Sequence, residues 1–155
     1  MQTIEQLLAE LPVFAGLPAE HLQLIAGCAG TMHARAGEEL FRDGDAADAF
    51  YVVRHGAIAL EAHAPTGPPL VIETMHAGDV VGWSWLVPPY RWNFDGRVVE
   101  DLRAIGFDAA CLRGKAEADP ALGYELLQRF AGLMLERLQA TRLRLLDVYG
   151  ATVPR

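Results

Sequence analysis

The run Ala36-Gly37-Glu38-Glu39-Leu40-Phe41-Arg42-Asp43-Gly44-Asp45, continuing through Ala49-Phe50-Tyr51-Val52-Val53-Arg54-His55-Gly56, decides the fold of this chain. Its glycines separate short apolar segments at spacings that suit tight turns, because glycine accepts the positive φ such turns impose. Gly78-Asp79 and Gly82 repeat the punctuation after a further strand pair. The pattern predicts strands over Glu38–Phe41, Phe50–Arg54, Ala57–Ala62, Leu70–Met75, Asp79–Val81, Arg97–Glu100 and Leu102–Phe107. Gly, Pro and Asp lie between them, as in a β-sandwich or barrel. The closely spaced pair around His55-Gly56 is expected to form a hairpin.

Helical patterns flank this β region. Ile4, Leu7, Leu8 and Leu11 recur at helical spacing before Pro12, and Pro18 opens a second helix with Leu22, Leu24, Ile25 and Cys28 as its apolar positions. Gly27 or Gly30 is expected to end it. Helix returns at Asp108, and Asp119 as N-cap with Pro120 at the first helical position opens a long one, from Ala121 to about Tyr149. Gly123 and Gly132 weaken it slightly. Along it Leu127, Phe130, Met134, Leu138, Thr141, Leu145 and Val148 alternate steps of three and four, beside a second row of Leu126, Leu133, Leu143 and Leu146. At 1.5 Å per residue such a helix is ~40 Å long, more than a domain of this size can cover. Part of its apolar stripe is therefore expected to meet another surface.

The 155 residues suit one domain over 1–150, with a helical lead at 1–30, a β core at 31–108 and C-terminal helices at 109–150. A chain of this length buries roughly 70% of the surface its unfolded form exposes, enough for one ordinary core. The formal net charge of −7 argues against a nucleic-acid face or an anionic membrane surface, since both rest on Lys and Arg. Cys28 and Cys111 have no metal-type spacing and sit in helix-like apolar contexts, so they are expected as buried thiols, suited to a reducing cytoplasm. No charged-then-apolar leader opens the chain, and no apolar run approaches the ~18 residues of a membrane span, which gives the expectation of a cytosolic protein. His21, His33, His55, His63 and His76 never adopt a metal-ligand spacing, and Asp43, Asp45 and Asp48 lack the glutamate that closes a calcium loop. No nucleophile-elbow, Walker or dinucleotide motif occurs, so neither a metal site nor an enzyme is expected.

The glycine framework resembles, in order and spacing, the front half of the cyclic-nucleotide-binding domain of the catabolite-activator (Crp/Fnr) superfamily. The helical lead and the long C-terminal helix extend the resemblance over nearly the whole chain. It implies a mainly β fold with flanking helices, a jelly-roll-like β-sandwich whose long C-terminal helix pairs with its twin in a homodimer. Leu127, Phe130, Met134, Leu138, Thr141 and Leu145 are then the expected seam. Some relatives bind haem, and His76 beside Met75 is the nearest axial candidate, although it reads more simply as a turn residue. Only Gly150–Arg155 follow the helix, too few for the helix-turn-helix of the family's DNA-binding members. The expectation is a stand-alone sensor, without direct nucleic-acid or membrane binding, acting through an unidentified protein partner.

In that family the phosphate-binding cassette opens Phe-Gly-Glu and closes Arg-x-Ala; the glutamate accepts from the ribose hydroxyl and the arginine holds the cyclic phosphate. Here the opening is Val81-Gly82-Trp83, and counting back from the closing strand puts Trp92 at the arginine's place, with Arg91 beside it and Phe94 where a small residue belongs. Hydrogen bonds to charged groups contribute about 1.5–3 kcal/mol each, so losing both anchors removes roughly two to four decades of affinity. The candidate ligand residues are Gly82, Trp83, Ser84, Trp85, Arg91, Trp92 and Phe94. Three readings stay open: an altered aromatic pocket for an apolar or planar ligand, a true cyclic AMP or cyclic GMP receptor using Arg91, and a ligand-free interaction module whose rings fill the pocket. Backbone N–H groups after Gly82 would serve the second reading, whereas Pro88 and Pro89 offer none.

Overall fold

The computed structural model describes residues 2–152. Helix α1 (Ile4–Glu10) starts at a capping box, in which the Thr3 hydroxyl accepts from the Gln6 N–H and the Gln6 side chain accepts from the Thr3 N–H. A 3₁₀ turn over Pro12–Phe14 leads to α2 (Ala19–Ala26), which ends at Gly27. Six strands follow: β1 (Ala29–Ala34), β2 (Glu39–Phe41), β3 (Ala49–Ala62), β4 (Leu70–Met75), β5 (Val80–Val81) and β6 (Asp95–Asp108). A second 3₁₀ turn, Ser84–Leu86, lies between β5 and β6. The sheet is antiparallel in the order β1-β6-β3-β4, with β2 paired to β6 and β5 paired to β3. The antiparallel sheet, flanking helices and long C-terminal helix agree with the fold class read from the sequence.

The hairpin expected at His55-Gly56 does not form. Val52 and Val53 on one side of this point and Ile58 and Leu60 on the other all pair with β6, so β3 is one strand of 14 residues. Gly56 has φ of +88°, and a Cβ there would collide with the Asp101 carbonyl, so the glycine permits a bend within the strand. The pairing slips repeatedly between Val53 and Ile58, as a strand must when it turns a corner of the sheet. The segments expected at Arg97–Glu100 and Leu102–Phe107 likewise belong to the single strand β6. Strand β1 escaped the sequence reading, because only Ala34 of its six residues is buried and no alternation marks it.

Asp108 caps α3 (Ala109–Ala118) by accepting from the Cys111 N–H at 3.0 Å, and Asp119 accepts from Leu122 at 3.3 Å to start α4 (Pro120–Thr152). Gly123 earns its place at the α3–α4 crossing: a Cβ there would lie 3.0 Å from the Ala116 carbonyl oxygen. The two cysteines are not free thiols, as expected from sequence, but a disulfide. Cys28 follows α2 directly and its carbonyl accepts from the Asp108 N–H, which sets α3's first turn, with Cys111, alongside. That pairing across 83 residues leaves no local signal in the sequence.

The core is an aromatic column. Phe107 stacks on Phe50 at 4.3 Å, Phe50 stacks on Trp85 at 4.7 Å, and Phe130 meets both Phe50 and Trp85 edge-on at 5.3 Å. Phe14 closes the column from the helical lead, 5.7 Å from Phe107. Phe130, expected on a dimer seam, is thus wholly enclosed in its own chain's core with Leu122 and Leu126. The stripe of α4 divides along its length: Leu133 and Met134 are half-buried, while Leu138, Thr141 and Leu145 are exposed with Leu143, Leu146, Val148 and Tyr149. Replacing Phe130 by Ala is expected to lower the unfolding free energy by about 3–5 kcal/mol in urea titrations, as for a ring lost from a packed interior, whereas Leu145→Ala changes it by less than about 0.5 kcal/mol in the isolated chain.

Candidate ligand site

The segment from Gly82 to Phe94 is laced onto the turn that precedes β3. Trp92 donates its backbone N–H to Asp45 at 2.9 Å and accepts from Gly44 at 2.8 Å, while the Tyr90 carbonyl accepts from Ala47 at 2.7 Å. Tyr90 itself holds φ of +56°, which turns the chain back toward this contact. Arg91 lies on this seam as the bridge partner of Ala46, and its exposed guanidinium donates to the Gly44 carbonyl at 2.9 Å.

These ties aim the Trp92 indole inward. The ring is buried, stacked on Phe41 with centroids 3.6 Å apart and planes 6° from parallel. Phe94 packs at a tilt 6.3 Å from Trp92, and Tyr51 stacks on the other end at 6.4 Å from Phe41. Burial raises the Tyr51 hydroxyl above its ordinary value, so this end of the cluster stays neutral at physiological pH. Gly82, at φ of +105°, faces the same indole: a Cβ at that position would lie 2.6 Å from Trp92 Cη2. The glycine is needed both for its backbone conformation and because the tryptophan occupies the space a side chain would take.

Trp83 points elsewhere. The Arg137 guanidinium of α4 lies over its ring at 5.8 Å, within range of a cation–π attraction. The same guanidinium pairs with the Glu73 carboxylate of β4 and reaches the Met75 sulfur at 2.9 Å. Arg144, two turns further along α4, approaches Glu73 at 3.7 Å and donates to the Ile72 carbonyl at 3.3 Å. Glu73 thereby clamps two arginines and holds α4 along β4. A cleft of about 520 Å³ opens beside this clamp, lined among others by Val13, Asp79, Trp83, Arg129 and Leu133.

Trp85 belongs to the core column, and its backbone carbonyl accepts from Arg113 at 2.8 Å while the Arg113 guanidinium covers the Tyr90 ring at 4.4 Å. The buried Trp85 Nε1 has no hydrogen-bond partner. Ser84 is buried too, its hydroxyl 3.4 Å from Asn93 Nδ2. The seven sequence candidates therefore do not line one pocket. Gly82, Trp92 and Phe94 meet in one aromatic cluster, Trp83 joins the α4 clamp, Ser84 and Trp85 are interior, and Arg91 lies outside. Phe41, Glu73, Arg113 and Arg137 complete the arrangement and were not legible as site residues, because each acts across long sequence separations.

Among the described residues no group of three or more His, Cys, Asp or Glu side chains is placed to hold a metal ion, and no helix is long and apolar enough to cross a membrane. The cyclic nucleotide-binding domain family matches residues 31–119. A CRP-like cAMP-activated global transcriptional regulator of Mycobacterium tuberculosis is 21% identical over 97% of this chain, and the match spans 66% of that protein's length. A solved structure from Geobacter metallireducens GS-15 superposes with a TM-score of 0.79 at 26% identity, covering 89% of this chain and 99% of that one. The regulatory domain of Toxoplasma gondii PKA, solved with cAMP, superposes at 0.67 with 19% identity, covering 83% of this chain and 48% of that one. With the family match spanning more than half of its residues, over the same strands and turns that build the Gly82 segment, this chain belongs to the cyclic nucleotide-binding domain family.

Proposed function

We propose that this domain is a non-catalytic signalling module of the cyclic nucleotide-binding fold whose nucleotide position is closed by its own side chains, so that it works as a homodimeric adaptor through its surfaces. The observation that carries this reading is the Trp92 indole, stacked on Phe41 and pressed against Gly82 where the family resemblance expects an arginine and the cyclic phosphate. An apolar ring in that place offers no charge to a phosphodiester, and desolvating the anion without a partner is costly. Trp83 likewise supplies no carboxylate for a ribose hydroxyl and is engaged with Arg137. Arg91 does not support the receptor reading, because its guanidinium is turned to the Gly44 carbonyl on the outer face.

Support for the homodimer comes from the distal half of α4. Leu138, Leu143, Leu145, Leu146 and Val148 are exposed, and β4, against which α4 is clamped, adds exposed Leu70, Val71 and Ile72. Exposed large apolar side chains gathered on neighbouring elements favour an interface, and a twin helix with the same stripe covers them symmetrically. The sequence seam is thus revised: Leu138, Thr141 and Leu145 stay, Met134 lies at its margin, Leu127 is exposed nearer the start of α4, and Phe130 leaves it.

Cyclic AMP and cyclic GMP at up to about 100 μM are expected to leave the melting temperature unchanged, since a dissociation constant far above the ligand concentration gives almost no linkage stabilisation. A shift of several degrees that disappears in Arg91→Ala would overturn the closed-site reading in favour of a nucleotide receptor. Trp92→Ala is expected to lower stability by about 3–5 kcal/mol, the range for a packed indole, and Arg91→Ala by less than about 1 kcal/mol. Denaturant midpoints of the two variants check this, and a stable Trp92→Ala protein would indicate an open pocket instead. Light scattering is expected to give a dimer at tens of micromolar and a monomer for the pair Leu138→Glu and Leu145→Glu; a monomeric unmodified protein would remove the adaptor's assembly.

A further inference from the structure

Away from the aromatic cluster, the junction of α2 and β1 is tied to α3 in three ways. The Cys28–Cys111 disulfide joins them covalently, with Cα atoms 5.9 Å apart, an ordinary separation for such a bond. The Asp108 N–H donates to the Cys28 carbonyl at 2.8 Å, and Lys115, one turn beyond Cys111, donates from Nζ to the Leu24 carbonyl at 2.7 Å. Of these ties only the sulfur bond responds to redox chemistry.

We propose that Cys28 and Cys111 are a reversible thiol–disulfide site, reduced by dithiols and re-formed by hydroperoxides, whose state sets how firmly α3 and the start of α4 are held. The two sulfurs differ in access. Cys28 is buried, at 6% exposure, whereas Cys111 is half-buried on the first turn of α3. A reductant's thiolate therefore attacks the Cys111 sulfur, the S–S bond breaks, and Cys28 leaves as a thiolate. A positive charge stands nearby, because a Cβ on Gly27 would lie 2.5 Å from the Lys115 ammonium nitrogen. The reductant's second thiol then attacks the mixed disulfide, Cys111 is released, and the dithiol departs as its own disulfide, having delivered two electrons and two protons. In the reverse direction the Cys111 thiolate attacks a hydroperoxide oxygen, giving a sulfenic acid and an alcohol or water. The Cys28 thiol displaces the sulfenic oxygen as water and the bond closes.

The bond's state reaches the rest of the molecule through α3. This helix passes directly into α4 at Asp119, and the two are packed closely enough that a Cβ at Gly123 would press on the Ala116 carbonyl oxygen at 3.0 Å. The α4 helix in turn carries Phe130 into the core and Arg137 to Glu73. The proposal does not depend on whether the nucleotide position is open or closed, since it rests on other residues.

Titrating the full chain with dithiothreitol under native conditions, followed by thiol alkylation and mass spectrometry, tests the chemistry, and hydrogen exchange tests the mechanical consequence. We expect the bond to open at millimolar reductant without denaturant and to return with stoichiometric hydrogen peroxide. In the reduced chain the amides of α3 and the first half of α4 should exchange faster, and the melting temperature should fall by roughly 5–15 °C. The variant Cys28→Ser with Cys111→Ser should match the reduced protein and ignore the reductant; the reduced unmodified chain serves alone if that variant does not fold. A bond that opens only after unfolding, or a reduction that leaves α3 and α4 exchange unchanged, overturns the proposal.

Discussion

The contact on which the rest of the structure depends is the column of rings from Phe107 through Phe50 and Trp85 to Phe130. Each ring comes from a different part of the chain: two strands, the segment after Gly82, and the long helix. Buried aromatic pairs contribute about 0.5–1.5 kcal/mol beyond their area, and here the contacts share rings, so removing one member disturbs several. The column fixes the distance between sheet and α4, and that spacing lets Arg137 reach Glu73 and Trp83. The second aromatic cluster, Phe41 with Trp92, then settles around Gly82 on a frame that is already rigid.

Much of the architecture was legible because it rests on local chemistry. The helix starts at Asp108 and Asp119 and the glycine turns are short-range signals, and they give much of the element order. Strand β1 left no alternation to read, whereas the error at Gly56 has a different cause. A glycine with positive φ reads the same whether it turns a hairpin or bends a long strand, and only the partner strand β6 decides between them. The disulfide is a harder case, since two cysteines separated by 83 residues look like two core thiols until the Cys28 carbonyl and the Asp108 N–H bring their backbones together.

The candidate site was legible in one respect and opaque in another. The order of residues around Gly82 is enough to raise the expectation, through the family resemblance, that indoles at Trp83 and Trp92 stand where two polar anchors belong. It does not say where the rings point. Trp83 and Trp85 lie two positions apart, yet one covers α4's clamp and the other enters the core, because the 3₁₀ turn Ser84–Leu86 rotates successive side chains to different faces. The Glu73–Arg137 pair was invisible for a similar reason. Its members are 64 residues apart, and each taken singly is an ordinary surface charge.

On the closed-site reading proposed above, the indole packed against Gly82 acts as a ligand that the protein carries on its own backbone. A group tethered by a short segment is present at its site at an effective concentration on the order of millimolar, and the ties to Gly44 and Asp45 restrict its alternatives further. A free molecule arriving at micromolar concentration therefore competes from a deficit of roughly a thousandfold before any difference in contacts is counted. On the closed-site reading, occupancy of this position is a constant of the fold, renewed with every chain synthesised, and information enters the domain at places where its residues remain free to change partners.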